Sequence, residues 1–299
     1  MSRVALSLAP AGPLKPDTLQ AGLDAMVELG VELMWPEGWR ARLEERHHYL
    51  AGTDARRARM LRDAVDHAPD GIWLARGGYG CIRTLTAAFA YDLKLFERPA
   101  VPLWAFSDGT ALLAAWDRAG WPAWHAPPAT QFARLDEMSR ARTRAAWHVD
   151  QVTPFEGLET LVSGDAEAPM AGGNLCVLAS MVGTPWQADL RGRIVLLEDT
   201  GERAYKVDRL FTQLAYAGCF EGIAGLALGT FTHVTDEQSQ AIDDFFARVA
   251  PSLGVPVIRG LPLGHDVSNA PIPFGEGSGW LGRIEAPDHG PARLSFVRR

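Results

Sequence analysis

A serine in a predicted tight turn is the residue whose surroundings most clearly suggest chemistry. The run P-L-W-A-F-S-D-G-T-A-L-L places Ser107 after a short apolar strand and before a helix-like segment. This is the small-x-Ser-x-Gly pattern of a nucleophile elbow, with Ala105 and Gly109 as its small residues. Such a turn lifts the hydroxyl above the sheet and aims the backbone N–H of Asp108 at a developing oxyanion. The alternative is that Ser107 and Asp108 only cap a helix.

A glycine-rich segment, residues 75–80 (A-R-G-G-Y-G), follows another predicted strand. Glycines let a backbone approach a ligand closely, and ligands of open α/β sheets bind at the carboxyl ends of strands. The spacing departs from the G-x-G-x-x-G of dinucleotide sites. The segment therefore indicates either a ligand-facing loop or a plain tight turn.

A reactive serine needs a base, and three of the eight histidines are the strongest candidates. His125 and His233 follow apolar runs and could line a cleft. His265, in L-P-L-G-H-D, follows a glycine and a strand-like run. Residue type and local context leave the choice among them open.

An acidic residue at the end of an apolar strand could orient such a histidine. Glu198 closes the run R-I-V-L-L-E-D, where a buried carboxylate is unfavourable unless it is paired. Pairing with a histidine is one solution. A salt bridge to Arg203 or Arg209 is the other.

Hydrophobic periodicity predicts the elements that position these residues. The first half alternates strands at 4–8, 31–34, 71–75 and 101–106 with helices around 19–30, 55–65 and through Leu85, which is typical of a parallel sheet with helices on both faces. In the second half Asn174 is a predicted helix N-cap. Strands at 194–197 and 223–228, helices at 207–217 and 238–249, and short strands within 280–297 follow. The irregular stretch 156–172 reads as a linker between domains 1–155 and 173–299.

Composition excludes several classes of protein. The 299 residues carry 29 Lys and Arg against 36 Asp and Glu, a net charge of −7, which argues against nucleic acid or an anionic membrane as partner. The three cysteines form no C-x-x-C pair, so neither a zinc site nor a disulfide framework is predicted. The N-terminal apolar run is short and broken by Pro10, which favours a first strand over a signal peptide and hence a cytoplasmic location.

Several motifs together resemble the LD-carboxypeptidase family, which includes muramoyltetrapeptide carboxypeptidases and microcin C immunity proteins. They are A-R-G-G-Y-G, F-S-D, G-G-N-L-x-x-L-A-S-x-x-G-T-P, L-L-E-D-x-x-E-x-x-Y-x-V-D-R and L-P-L-G-H. They occur in the family's order and span most of the chain. Family members usually carry glycine where this chain has Ala105. The resemblance implies an α/β fold with an N-terminal Rossmann-like or flavodoxin-like domain and a smaller C-terminal mixed α/β domain of the swivelling type.

The resemblance also implies a mechanism. It assigns a catalytic triad to Ser107, Glu198 and His265, and the oxyanion-hole donors to the backbone N–H groups of Gly78 and Asp108. It implies a serine carboxypeptidase without metal or cofactor, acting as a homodimer on murein tetrapeptide. The alternative within the family is hydrolysis of peptidyl- or aminoacyl-nucleotide amides, for which Trp186 could stack on a base. A binding protein with a fortuitous serine is the alternative from another class.

Overall fold

The computed structural model describes residues 3–36, 38–40, 45–89 and 99–299, and within these ranges the strands form two sheets. Numbered along the chain, the strands are β1 (Val4–Leu8), β2 (Glu32–Met34), β3 (Ile72–Leu74), β4 (Leu103–Ala105), β5 (Ala123–His125), β6 (Phe155–Val162), β7 (Gly164–Ala168), β8 (Met170–Asn174), β9 (Ile194–Thr200), β10 (Gly225–Thr232), β11 (Val257–Arg259), β12 (Ile272–Phe274), β13 (Trp280–Ala286) and β14 (Ala292–Arg298). The α-helices are α1 (Pro16–Glu28), α2 (Asp54–His67), α3 (Cys81–Phe89), α4 (Thr110–Arg118), α5 (Glu137–Arg144), α6 (Leu175–Met181), α7 (Ala204–Tyr216) and α8 (Asp236–Val249).

The first sheet has the strand order β12-β5-β4-β3-β1-β2. Strands β1 to β5 run parallel, and helices α1 to α4 alternate with them along the chain. This arrangement confirms the parallel α/β sheet predicted for the first half. It also brings the carboxyl ends of β3 and β4, where the glycine-rich segment and Ser107 follow, to one edge of the sheet.

Three tryptophans stack across the middle of this sheet. Trp73 is in register with Trp104, and Trp104 with Trp124, on neighbouring parallel strands. Their ring centroids are 4.5 and 4.7 Å apart in stacked geometry. Because registered side chains of adjacent strands project to the same face, the three rings form a continuous apolar wall beneath helices and loops. All three tryptophans are buried and belong to the hydrophobic core.

The second sheet is mixed and has the order β7-β13-β14-β6-β11-β10-β9-β8. Strands β8 to β11 run parallel, and α6, α7 and α8 lie in the three connections between them. The other strands pair antiparallel. The sheet matches the mixed α/β architecture expected for the second half of the chain.

The stretch 156–172, predicted as an irregular linker, is instead almost entirely β-structure, comprising most of β6, all of β7 and the start of β8. Its sequence lacks alternation because β7 is an edge strand with charged, exposed residues. In β8, Gly172 has a φ of +116° and approaches Leu196 so closely that an added Cβ would lie 2.2 Å from the Leu196 carbonyl oxygen. The division into domains 1–155 and 173–299 stays a prediction.

Strand β12 links the two halves of the molecule, since it comes from the second half of the sequence but joins the first sheet. Ile272 lies opposite His125, in antiparallel register with β5. The segment just before β12 therefore reaches the carboxyl edge of the first sheet. Among the described residues, no helix combines the length and apolar character that crossing a bilayer requires.

Candidate active site

Ser107 occupies the turn between β4 and α4 with a φ of +61°. A non-glycine residue rarely adopts this left-handed backbone, and such strain costs about 1–3 kcal/mol. Gly109 is required in the same turn, because an added Cβ would lie 2.8 Å from Leu74 Cδ2 and 3.0 Å from Ala105 Cβ. The turn therefore has the sharp, crowded geometry that the elbow pattern predicts, and Ala105 is accommodated in it.

The Ser107 hydroxyl faces an imidazole from near the end of the chain. His265 Nε2 lies 2.9 Å from Ser107 Oγ, and His265 Nδ1 lies 2.9 Å from Glu198 Oε2. The structure thus brings together the three side chains nominated from the sequence in one hydrogen-bonded line. A carboxylate that accepts from Nδ1–H leaves Nε2 free to accept the serine proton. This arrangement can activate a hydroxyl for attack on a carbonyl carbon.

Glu198 lies at the carboxyl end of β9 with a side chain that is 0% exposed, whereas His265 is 15% exposed. A carboxylate removed from water in this way needs a hydrogen-bond donor, and His265 supplies one. Arg209, one of the two alternative partners, lies over the Tyr205 ring instead, 5.4 Å from its centroid.

The other two candidate histidines lie elsewhere. His125 is buried on β5, with its ring 5.0 Å from that of Phe106 and 5.5 Å from that of Phe274. Burial, with a smaller contribution from the nearby His265, lowers the pKa of His125 to about 3, so the ring is neutral. His233 Nδ1 lies 2.8 Å from the hydroxyl of Thr200. Of the three, His265 is the one bonded to the serine.

The side chain of Asp108 ties the elbow to the glycine-rich segment. Its Oδ2 accepts a 2.7 Å hydrogen bond from the backbone N–H of Cys81, the first residue of α3. Burial raises the pKa of Asp108, and the backbone N–H groups of Cys81 and Gly80 oppose that rise. A carboxylate at this position is also favoured by the positive end of the α3 dipole.

The glycine-rich segment lies directly against the serine. A Cβ added to Gly77 would lie 3.0 Å from Ser107 Oγ and 3.5 Å from the Asp108 nitrogen. Gly78 has a φ of +115°, and a Cβ there would come within 3.2 Å of the Gly12 backbone. Glycine fits these contacts without a clash, and they place Gly77 beside the hydroxyl and Gly78 beside Gly12. Gly78 and Asp108, whose amides were nominated as oxyanion donors, are the residues that directly follow Gly77 and Ser107 in the chain.

Asp199 was not among the residues predicted to have a role. It holds the start of the neighbouring helix α6 by hydrogen bonds. Its carboxylate accepts hydrogen bonds from Asn174 Nδ2, Cys176 N and Thr200 N at 2.8–2.9 Å. The pKa of Asp199 is raised to about 6. Burial is the main cause and the charge of Glu198 adds to it, while the hydrogen bonds oppose the rise. Asn174 caps α6 as predicted. The sequence signal for this role was a second acidic residue, Asp199, directly after Glu198 at the end of the apolar run.

Trp186, considered as a platform for a nucleotide base, is a core residue. It is 3% exposed, and its Nε1 donates a 3.0 Å hydrogen bond to Thr86 Oγ1. A buried indole presents no face on which a purine could stack. The structure therefore removes the one sequence feature that favoured a nucleotide-containing ligand.

Possible metal ligands and free thiols are the other reactive groups to consider in the described part of the chain. No group of three or more His, Cys, Asp or Glu side chains is placed there to hold a metal ion. The three cysteines, Cys81, Cys176 and Cys219, are free thiols, and burial raises the pKa of each. A raised pKa keeps a thiol protonated and unreactive at neutral pH. Among the side chains considered, Ser107 is the hydroxyl that lies within hydrogen-bond distance of an imidazole paired to a buried carboxylate.

Two family models and several relatives match this chain. The model of the LD-carboxypeptidase N-terminal domain matches residues 4–126, and that of the LD-carboxypeptidase C-terminal domain matches residues 167–278. The murein tetrapeptide carboxypeptidase of Pseudomonas aeruginosa is 32% identical over 293 residues, covering 92% of this chain and 91% of the relative. A putative carboxypeptidase of Streptomyces coelicolor is 35% identical over 291 residues, covering 92% and 88%.

Solved structures show the same fold. The muramoyltetrapeptide carboxypeptidase from Oxalobacter formigenes matches with a TM-score of 0.82 at 25% identity, covering 98% of each chain. MccF in complex with glutamyl sulfamoyl guanosine matches with a TM-score of 0.81, covering 98% of this chain and 96% of MccF. At 18% identity the second likeness concerns the fold alone. From the two domain matches and the relatives above 30% identity, the chain belongs to the LD-carboxypeptidase family of peptidases.

Proposed function

We propose that the chain is a serine carboxypeptidase in which Ser107 forms an acyl-enzyme. His265 takes the Ser107 proton at Nε2 as Oγ attacks the amide carbonyl, and then gives that proton to the leaving amine. Glu198 accepts from Nδ1–H, which fixes the imidazole tautomer and stabilises its cation. Water then attacks the ester, with His265 as base. The observation that carries this proposal is the unbroken line from Oγ to Oε2, with both heavy-atom distances at 2.9 Å.

The backbone N–H groups of Gly78 and Asp108 would stabilise the oxyanion. The support is the closeness of Gly77, the residue before Gly78, to Ser107 and the hydrogen bond from the Cys81 N–H that fixes the Asp108 side chain. Donors that are fixed before the reaction need no reorganisation as charge develops on the carbonyl oxygen. Nucleophile, base and donors all come from the chain, so we expect turnover to be unchanged by EDTA.

The proposed substrate is a murein tetrapeptide in cell-wall recycling, and the bond cut joins the L-centre of diaminopimelate to the terminal D-alanine. The support is the similarity to the murein tetrapeptide carboxypeptidase of Pseudomonas aeruginosa and to a probable murein peptide carboxypeptidase of Bacillus subtilis, 30% identical over 279 residues. We also propose a cytoplasmic homodimer, as the family resemblance implies. Sedimentation velocity would measure the oligomeric state.

The test is incubation of the purified protein with murein tetrapeptide, with D-alanine and tripeptide quantified by mass spectrometry. We expect the two products in equal amounts. The matched control is the same peptide ending in L-alanine, which should stay intact. Ser107→Ala protein gives the background.

An aminoacyl sulfamoyl adenosine serves as the second substrate in the same assay. Release of its amino acid with the tetrapeptide left intact would overturn the proposed substrate and favour the immunity-type hydrolase. Strong inhibition by EDTA that zinc reverses would instead contradict the serine mechanism.

A further inference from the structure

The loop that carries His265 has little regular structure of its own. Between β11 and β12, an isolated antiparallel bridge joins Leu263 to Asn269, and His265 lies within the loop that this bridge closes. A base on a loop must be held in place by other parts of the protein if its distance to the nucleophile is to stay short.

Gln131 holds this loop on both sides of the histidine. Its Nε2 donates hydrogen bonds to the carbonyl oxygens of Gly264, at 3.0 Å, and Asp266, at 2.8 Å. Its Oε1 accepts a 2.9 Å bond from Asn269 Nδ2. Gln131 is 2% exposed, so its bonds to Gly264 and Asn269 are buried, and its bond to Asp266 is partly buried. A single amide thus uses two donors and one acceptor to hold three points of the loop.

Neighbours of Gln131 in the chain extend this contact. The Arg134 guanidinium donates to the His265 carbonyl oxygen at 3.0 Å, and the Asp136 backbone N–H donates to the Val267 carbonyl at 2.8 Å. The Asp136 carboxylate accepts from the Ser268 hydroxyl. Segment 131–136 therefore forms hydrogen bonds along the whole stretch 264–268 of the loop.

Segment 131–136 is itself anchored to the first sheet's helical layer. It begins in a 3₁₀ turn at Ala129–Arg134, and the Gln131 N–H donates to the Pro128 carbonyl at 2.9 Å. Helix α1 packs against this turn at Gly22, where an added Cβ would lie 2.0 Å from the Ala129 carbonyl oxygen. The loop with the histidine is thus held by a supported part of the protein.

We infer that Gln131 is a positioning residue that sets the His265 imidazole against Ser107. The inference rests on the proposed function, in which His265 is the base. It assigns to Gln131 no contact with substrate. Glutamine suits the position because an amide offers paired donors and an acceptor on one planar group. Replacing it with an apolar side chain removes the partner of two buried polar groups, the Gly264 carbonyl and Asn269 Nδ2, and of the partly buried Asp266 carbonyl.

The test compares Gln131→Met with wild type in two assays, D-alanine release from murein tetrapeptide and the rate of covalent labelling of Ser107 by a fluorophosphonate. We expect kcat and the labelling rate to fall together by roughly 10- to 100-fold, with KM changed less than about twofold, because a small displacement of the base slows the chemical step rather than binding. Gln213→Met is the matched control. It removes a partly buried 3.0 Å hydrogen bond from the side-chain amide of the more exposed Gln213 to the Ala179 carbonyl, away from the loop.

A kcat and labelling rate within about twofold of wild type in folded Gln131→Met protein would overturn the inference, since chemistry would then not depend on this amide. If the Met variant does not fold, Gln131→Glu keeps the shape but presents a carboxylate oxygen to the two carbonyls, and the same fall is expected. The labelling assay is independent of the peptide. A wild type that labels at Ser107 but spares the tetrapeptide refutes the proposed substrate, while the labelling rates of the variants still decide the role of Gln131.

Discussion

Asp108 Oδ2 and the backbone N–H of Cys81 are joined by a 2.7 Å hydrogen bond across 27 residues of sequence. One partner belongs to the elbow that carries Ser107, and the other directly follows the glycine-rich segment that lies against the Ser107 hydroxyl. The bond therefore couples the nucleophile to the loop that would supply an oxyanion donor. In an acyl-transfer site these groups must be held to within a fraction of an ångström.

Gly77→Ala tests the closeness of these two segments. The added methyl would lie 3.0 Å from Ser107 Oγ, so the hydroxyl or the loop must move. We expect kcat for D-alanine release to fall by at least about tenfold, because reacting groups tolerate little displacement. Gly225→Ala, whose methyl would meet only core atoms of the second sheet such as Ile284 Cδ1, is the control. It should lose stability but retain kcat. Normal turnover in Gly77→Ala would refute the close packing.

Substitutions of Ser107 separate its chemistry from its backbone strain. Both Ser107→Ala and Ser107→Gly should lose at least about 1000-fold in kcat, because the nucleophile is gone. The glycine variant should be more stable than the alanine variant by about 1 kcal/mol, since glycine adopts the left-handed φ of +61° without a Cβ penalty. Urea unfolding measures the difference. Equal stabilities would mean that this turn relaxes, and residual turnover near wild type would exclude Ser107 as nucleophile.

Glu198→Gln tests the orientation of the imidazole. A glutamine amide can donate to His265 Nδ1, which puts the proton on Nε2 and removes the acceptor that Ser107 needs. We expect kcat to fall by roughly 1000- to 10,000-fold with little change in KM. Glu159→Gln is the matched control, since Glu159 forms a surface pair with Arg259 at 2.7 Å. Comparable losses in both variants would show that the effect is not specific to the imidazole.

Asp117 gives the stability of the protein a pH dependence that can be measured. Burial raises its pKa from the usual 3.8 to about 6, although Arg193, 3.2 Å away, opposes the rise. Between these values the folded state binds more protons than the unfolded state, so the free energy of unfolding gains from this group as pH falls from about 7 to about 4. The gain is at most about 3 kcal/mol.

Asp117→Asn should therefore flatten the pH dependence of stability. Urea unfolding of wild type and variant between pH 4 and pH 8 gives the comparison. The unfolding free energy of wild type minus that of the variant should increase as pH falls from about 7 to about 4. Parallel curves would show that Asp117 titrates alike in folded and unfolded chains. The similarly buried Asp199 contributes equally to both proteins and cancels.

The sequence by itself determined the local features of this protein. The small-x-Ser-x-Gly spacing predicts the turn at Ser107, and Asn174 predicts the start of α6, because both depend on backbone conformation and hydrogen bonds within a few residues. Alternating strand and helix periodicity likewise predicts the parallel first sheet. The motifs shared with a family of known fold nominated Glu198 and His265, which local patterns alone left among alternatives.

Only the tertiary structure decided which distant groups meet. The predicted linker 156–172 forms strands in the structure. The sequence did not indicate them, because the edge strand β7 and the Gly-Gly pair of β8 show no alternation of hydrophobic and polar residues. The tertiary structure added β12 to the first sheet and placed Gln131 beside the loop of His265. A hydrogen bond between residues more than 100 positions apart leaves no trace in local periodicity, since burial and register arise from packing the whole chain.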